Sequence, residues 1–160
     1  PRHRPRSLQH PLSRVVAVAL PLTPETTGLF DADKFALMKE GAFFVNIGRG
    51  KLVVTDDLLA ALDVFCISSL YEGTPLALFE AMAAGRAIVS TAVDGCREVL
   101  EEGSNALLVP PADAAALAGA LERVLADELR AMRARLATDA GRAAAARRPR
   151  GGCRSRVFAR

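Results

Sequence analysis

Glu72 and Glu80 stand eight residues apart, separated by the run Gly73-Thr74-Pro75-Leu76-Ala77-Leu78-Phe79. That run reads as the start of a helix, with Thr74 as cap, Pro75 at the first position and Gly85 as the stop. Backbone N–H groups between Gly73 and Leu76 are then left without intrahelical acceptors, and such a group of donors can receive a diphosphate. Gly73 permits close approach of a ligand to the main chain. Glu80 follows about two turns along the same helix. A second polar group lies upstream in Asn46-Ile47-Gly48-Arg49-Gly50. The planar fork of the Arg49 guanidinium suits two-pronged bonding to a carboxylate.

Other chemistries are excluded by what is missing. The two histidines, His3 and His10, precede the first expected strand, so neither Ser-His-Asp nor Cys-His catalysis has a histidine to use. Asp56, Asp57, Glu101 and Glu102 read as ordinary helix charges, and no carboxylate cluster suggests a metal site. Cys66, Cys96 and Cys153 are far apart and follow no metal spacing, which suits separate thiols in a reducing cytoplasm. Gly48 and Gly50 after a strand, with Glu72 about twenty residues on, imitate a dinucleotide fingerprint. Val53 occupies its third glycine place.

The chain has 160 residues and is 51% hydrophobic, enough for a sizeable core in one domain. It contains no apolar run long enough to span a membrane and no signal-peptide pattern. The formal charge of +3 is unevenly placed. Residues 1–14 hold four arginines and no acid, residues 141–160 hold seven arginines and no acid, and residues 15–140 are acidic, at −8. The two basic ends lack apolar periodicity and read as a disordered leader (1–14) and a disordered Arg-rich tail (141–160) that can touch polyanions nonspecifically. Between them, residues 15–140 read as a single domain.

Its pattern alternates. Residues 15–20, 42–48, 64–68, 87–93 and 106–111 read as strands, the last stopped by its prolines. Residues 31–38 (capped by Asp31), 55–62 (capped by Thr55), 74–84, part of 94–103, 113–127 and 128–140 read as helices. Such alternation predicts an α/β fold in three layers, with a mostly parallel, Rossmann-like sheet of about five or six strands. Ligands of such sheets sit beyond the carboxyl ends of the strands.

Two resemblances follow from these residues. LPLTPETTGLFDADKFALMKEGAFFVNIGRGKLVVTDDLLAAL, within residues 16–62, resembles the NAD-binding domain of D-2-hydroxyacid dehydrogenases. The resemblance implies that Arg49 grips a substrate carboxylate and that Pro21, Thr23, Asn46 and Gly48 lie along an NAD(P) cleft. This part lacks the general-acid histidine and the glycine-rich phosphate loop that hydride transfer in that family needs. DVFCISSLYEGTPLALFEAMAAGRAIVSTAVDGCREVLEEGSNALLVPPADAAALAGALERVL, within residues 63–140, resembles the donor-binding half of a two-domain retaining glycosyltransferase with an E-x7-E motif. There the resemblance implies that Glu72 contacts the donor sugar and Glu80 the ribose hydroxyls. Gly73, Thr74, Pro75 and Leu76 would cradle the diphosphate of a nucleoside diphosphate sugar. The acceptor domain and the basic pair on the diphosphate are absent from this stretch.

The two resemblances meet at Leu62–Asp63, where helix must turn into strand with no Gly, Pro or Asn between Lys51 and Glu72. The expectation is a junction of two unrelated sequences, with strain or fraying at residues 60–64. One continuous helix from Asp56 to about Ser69 is the competing outcome. The leading functional expectation is a fragmentary nucleotide-sugar donor site, not competent in catalysis alone. The alternatives are a fragment of an NAD-dependent dehydrogenase, and an inactive chimera or interaction module without a ligand.

Overall fold

The computed structural model describes residues 14–39 and 41–125, and the backbone of residues 155–159. The strands are β1 (Val15–Val18), β2 (Ala42–Asn46), β3 (Leu62–Ile67), β4 (Ala87–Thr91), β5 (Leu107–Val109) and β6 (Ser155–Ala159). The helices are α1 (Ala32–Ala36), α2 (Thr55–Ala61), α3 (Leu76–Ala83), α4 (Asp94–Arg97) and α5 (Ala114–Leu125), with one 3-10 turn at Gly50–Leu52. All strand pairs are parallel, in the order β1-β2-β6-β3-β4-β5.

The layering follows from that order. Strands β1 to β5 advance across the sheet in one direction, so right-handed crossovers put their connecting helices on one face. Phe35 of α1, Leu59 of α2, Leu78 and Ala81 of α3 and Cys96 of α4 share one core with Phe44, Phe65, Ile67 and Ile88. After β5 the chain returns to the middle of the sheet, and the intervening α5 lies on the opposite face. There Ala120 and Val124 pack on Val64, Cys66, Val89, Leu107 and Val109. From Val64 to Ile67 successive residues of β3 therefore serve different cores, as the pleat requires, and its apolar run reads correctly as a strand buried on both sides.

Local chemistry fixes the ends of the elements. Asp31 caps α1 as expected, accepting from the Lys34 N–H at 3.1 Å and from Lys34 Nζ at 2.7 Å. These two bonds, side chain first, hold the Asp31 carboxyl below its ordinary range. Asp57 Oδ2 accepts from the Ala32 N–H at 3.0 Å, so α2 supports the start of α1. Phe30, Phe35 and Phe44 meet with ring centroids 5.1–6.5 Å apart, two of the three pairs edge-on. Each such contact adds about 0.5–1.5 kcal/mol to burial and fastens α1 to β2. Gly85 stops α3 at a φ of +64°, where a side chain would be strained.

Several expectations need correction. Thr55 is the first residue of α2, and Val54 precedes it as a cap without a side-chain bond. The helix does not fray at residues 60–64, and the irregularity there is a register shift between Leu62 and Phe65 in the pairing of β3 with β6. α2 passes directly into β3, because Leu62 closes the last helical turn through its N–H to Leu58 O while already extended, at φ −88° and ψ 152°. Its carbonyl accepts from buried Arg86 Nη1 at 3.0 Å. The continuous helix from Asp56 to Ser69 does not form. The largest correction concerns the tail. Ser155–Ala159, expected to be disordered, form a strand between β2 and β3, paired on both sides. The apolar run Val157-Phe158-Ala159 is too short to stand out among arginines. The leader at 1–13, the expected helix at 128–140 and residues 141–154 lie outside the described residues.

Burial pushes the Cys66 thiol from 9.0 up to about 12. The unfolded thiol loses its proton near its ordinary value, so above about pH 9 ionisation favours the unfolded chain. Stability present below that pH is then lost toward pH 12, by up to about 1.4 kcal/mol per unit. Urea midpoints measured from pH 8 to 11 should fall along this slope. Cys66→Ala should flatten it, leaving the smaller part due to Cys96, whose thiol is also raised.

Candidate functional site

The carboxyl ends of the strands form one row. Val18 is level with Asn46, Asn46 with Ala159, Ala159 with Ile67, and Ile67 with Ser90. The two groups singled out in the sequence both lie just beyond this row. β6 stands between them, so Asn46 and Ile67 are two strand spacings apart, about 9.6 Å.

On the β1–β2 side, the polar groups are largely engaged in local turns. Thr26 Oγ1 donates to Pro21 O at 2.8 Å and accepts from the Thr23 N–H at 2.8 Å. Asn46 Oδ1 accepts from the Gly48 N–H at 3.0 Å, and Asn46 Nδ2 donates to Arg49 O at 3.3 Å. A Cβ at Gly48 would lie 2.6 Å from buried Leu52 Cδ1 and 3.1 Å from Leu20 O, so a side chain here would force Leu52 to shift. Arg49 is exposed at the end of this turn and makes no ion pair with the described residues.

On the β3 side, Ser69 Oγ donates to Glu72 Oε1 at 2.5 Å. Thr91 Oγ1, from the end of β4, donates to Ser69 O at 2.6 Å. Gly95, in α4, is packed against the main chain of Glu72 and Gly73: a Cβ there would fall 1.3 Å from Gly73 O. Buried Cys96 lies within electrostatic reach of Glu72. Desolvation raises its thiol pKa first, a bond from Ser90 opposes this, and the Glu72 carboxylate raises it further. The thiol is therefore neutral at neutral pH.

Pro75 precedes α3 as its cap residue without a side-chain bond, so Thr74 is not the cap. The Leu78 N–H is satisfied by Pro75 O at 3.0 Å. The N–H groups of Leu76 and Ala77 remain as the donors of the open first turn. Proline itself offers none. Gly73 is needed differently from expectation. A Cβ at Gly73 would meet nothing within 4 Å, and the close approach is made by Gly95 onto its main chain. Glu80 is exposed on the fifth residue of α3. Leu70, Tyr71, Leu76 and Phe79, close in sequence to the two glutamates, are exposed.

Sequence reasoning found Glu72 and missed the residues that hold it. Ser69 and Thr91 come from separate strand ends and carry no spacing signal. Gly95 was visible as a glycine just after a strand, but its contact across the sheet was not. Among the described residues, no three or more histidine, cysteine, aspartate or glutamate side chains are grouped so as to hold a metal ion, and no helix is long and apolar enough to cross a membrane.

Both resemblances are supported by known proteins. Residues 43–127 match the family model described as Glycosyl transferases group 1, which covers more than half of the sequence, and the chain belongs to that family. Residues 8–70 match the model for the NAD binding domain of D-isomer specific 2-hydroxyacid dehydrogenase. The two ranges share residues 43–70, a β-α-β unit that both models describe and that contains the expected join at Leu62–Asp63. Glyoxylate/hydroxypyruvate reductase B of Escherichia coli O1:K1 / APEC is 52% identical over 50 residues, 31% of this chain and 15% of that protein. The protein of the same name from Salmonella newport (strain SL254) is 55% identical over 47 residues, 29% of this chain and 14% of that one. This chain thus spans about 15% of the curated relatives it matches. Among solved structures, Anabaena Alr3699/HepE in complex with UDP superposes with a TM-score of 0.51 at 21% identity, over 85% of this chain and 45% of that one. That likeness bears on the fold.

Proposed function

We propose that the β3–β4 edge is a donor half-site for a nucleoside diphosphate sugar, able to bind and not to turn over on its own. Glu72 contacts the sugar, the open first turn of α3 receives the diphosphate, and Glu80 accepts from the ribose hydroxyls. The observation that carries the reading is a carboxylate fixed by Ser69 at the end of a central strand, next to uncapped helix donors. A crystallised complex of Anabaena Alr3699/HepE with UDP and glucose gives the reading its chemistry. The free buried thiols Cys66 and Cys96 favour a cytoplasmic setting.

With only half a site, affinity should be weak, with a Kd on the order of 1 mM, roughly −4 kcal/mol. UDP or GDP at about ten times that concentration should then stabilise the chain by ~1.4 kcal/mol. Glu80→Ala should weaken UDP and leave inorganic pyrophosphate unchanged, since only the nucleotide carries a ribose. Equal weakening of both would mean that Glu80 acts through the fold. The amides of Gly73 and Leu76 should shift first in an NMR titration, and silence there would defeat the proposal.

A second reading is favoured by Arg49, which has no acidic partner among the described residues and lies in the stretch resembling the reductases. It makes the β1–β2 edge a remnant of an NAD(P) site, with Pro21, Thr23, Asn46 and Gly48 along it. NAD as a further arm of the titration separates the two: shifts at residues 46–50 without shifts at 73–76 would favour the remnant.

A further inference from the structure

We infer that Ser69, Thr91 and Gly95 form a positioning set that holds the Glu72 carboxylate for a sugar ligand, an inference that rests on the donor half-site reading. A glutamate side chain has several rotatable bonds and, at the surface, samples many rotamers. Glu72 is only partly buried, yet both its side chain and its main chain are held by neighbours. The carboxylate is bonded to Ser69 Oγ at 2.5 Å, three residues away in the same loop. Ser69 is in turn tied to the next strand, because Thr91 Oγ1 donates to its carbonyl at 2.6 Å. The main chain below Glu72 is clamped from the other side, since Gly95 is so close to Gly73 that a Cβ would fall 1.3 Å from its carbonyl oxygen and 2.7 Å from that of Glu72. β4 and α4 thus hold the main chain of the β3–α3 loop, and Ser69 in that loop holds the carboxylate.

Holding costs a carboxylate one of its acceptor positions, and the remaining oxygen lone pairs stay available to hydroxyl donors. A sugar presents such donors, whereas the diphosphate of a free nucleotide presents none to this position. Loss of the Ser69 hydroxyl should therefore be felt by the sugar and not by the nucleotide. Preorganisation of this kind lowers the cost of ordering the group on binding.

The test uses the full chain, with UDP and UDP-glucose as probes. Ser69→Ala should weaken UDP-glucose about five- to tenfold and leave UDP within about twofold, and Ser69→Thr should restore the difference. Independently of any ligand, the three-bond couplings of the Glu72 side chain should report one rotamer in the natural chain, averaging in Ser69→Ala, and one rotamer again in Ser69→Thr. Thr91→Val should move the couplings in the same direction by a smaller amount. Unchanged couplings in Ser69→Ala would overturn the inference, and so would equal loss of UDP and UDP-glucose, which a merely structural role produces. If the natural chain binds UDP-glucose no tighter than UDP, the donor reading itself fails, and the couplings still decide whether Ser69 holds Glu72.

Discussion

Gly95→Ala is expected to lower stability by at least about 3 kcal/mol, the upper range for overpacking in a core. The added Cβ would lie 1.3 Å from Gly73 O, 2.2 Å from Gly73 C and 2.7 Å from Glu72 O. All three are main-chain atoms, so no side chain can rotate aside to relieve the overlap. α4 is anchored by Cys96 in the core and is the harder part to move. The β3–α3 loop should shift instead, carrying Glu72 away from Ser69. Gly73→Ala supplies the contrast, because its Cβ would meet nothing within 4 Å. That change should stay within about 0.5 kcal/mol. Urea unfolding of the two variants gives the comparison, and similar midpoints for both would show that the close approach is relieved at no cost.

Val157→Pro should have an effect of similar size for a different reason. Val157 is level with Phe44 on β2 and with Phe65 on β3. Proline removes the N–H that joins β6 to one of these neighbours, and its ring crowds the strand. In an interior strand that costs about 3 kcal/mol or more. Among the described strands β2 and β3 do not pair with each other, and β6 joins a two-strand part of the sheet to a three-strand part. Amide hydrogen exchange should therefore accelerate along Ala42–Asn46 and Leu62–Ile67, with β4 and β5 less affected. Protection equal to that of the natural chain would mean that residues 155–159 do not hold the sheet together.

How much of this was legible in the sequence depends on the range of the interaction. Strands β1 to β5 announced themselves as short apolar runs, because both faces of a parallel sheet are covered. Asp31 and Gly85 marked helix ends correctly, since a cap and a left-handed stop are local devices. Thr55 and Thr74 failed as caps. Whether a threonine caps or enters the helix depends on where the preceding chain arrives, and proline at position 75 fixed that arrival one residue later. Glu72 and Glu80 were visible through their spacing. Ser69 and Thr91 were not, because their roles depend on two parallel strands ending level with each other. β6 was concealed by composition, its five residues lying in an arginine-rich end whose partners, β2 and β3, are far away in sequence.

The direct passage from α2 to β3 at Leu62 runs into a slip of the ladder with β6: Leu62 is level with Ser155 but Phe65 with Val157, three residues on one strand against two on the other. Leu62 belongs to the same core as Phe65 and Ile67, while Val64 and Cys66 belong to the α5 side. A strict pleat would have placed Leu62 with Val64 and Cys66. The extra residue thus changes the phase of the strand, as a bulge does. It acts as a half-link in a drive chain: the residue that closes the helix and the alternating residues that follow serve one core, although no loop separates helix from strand.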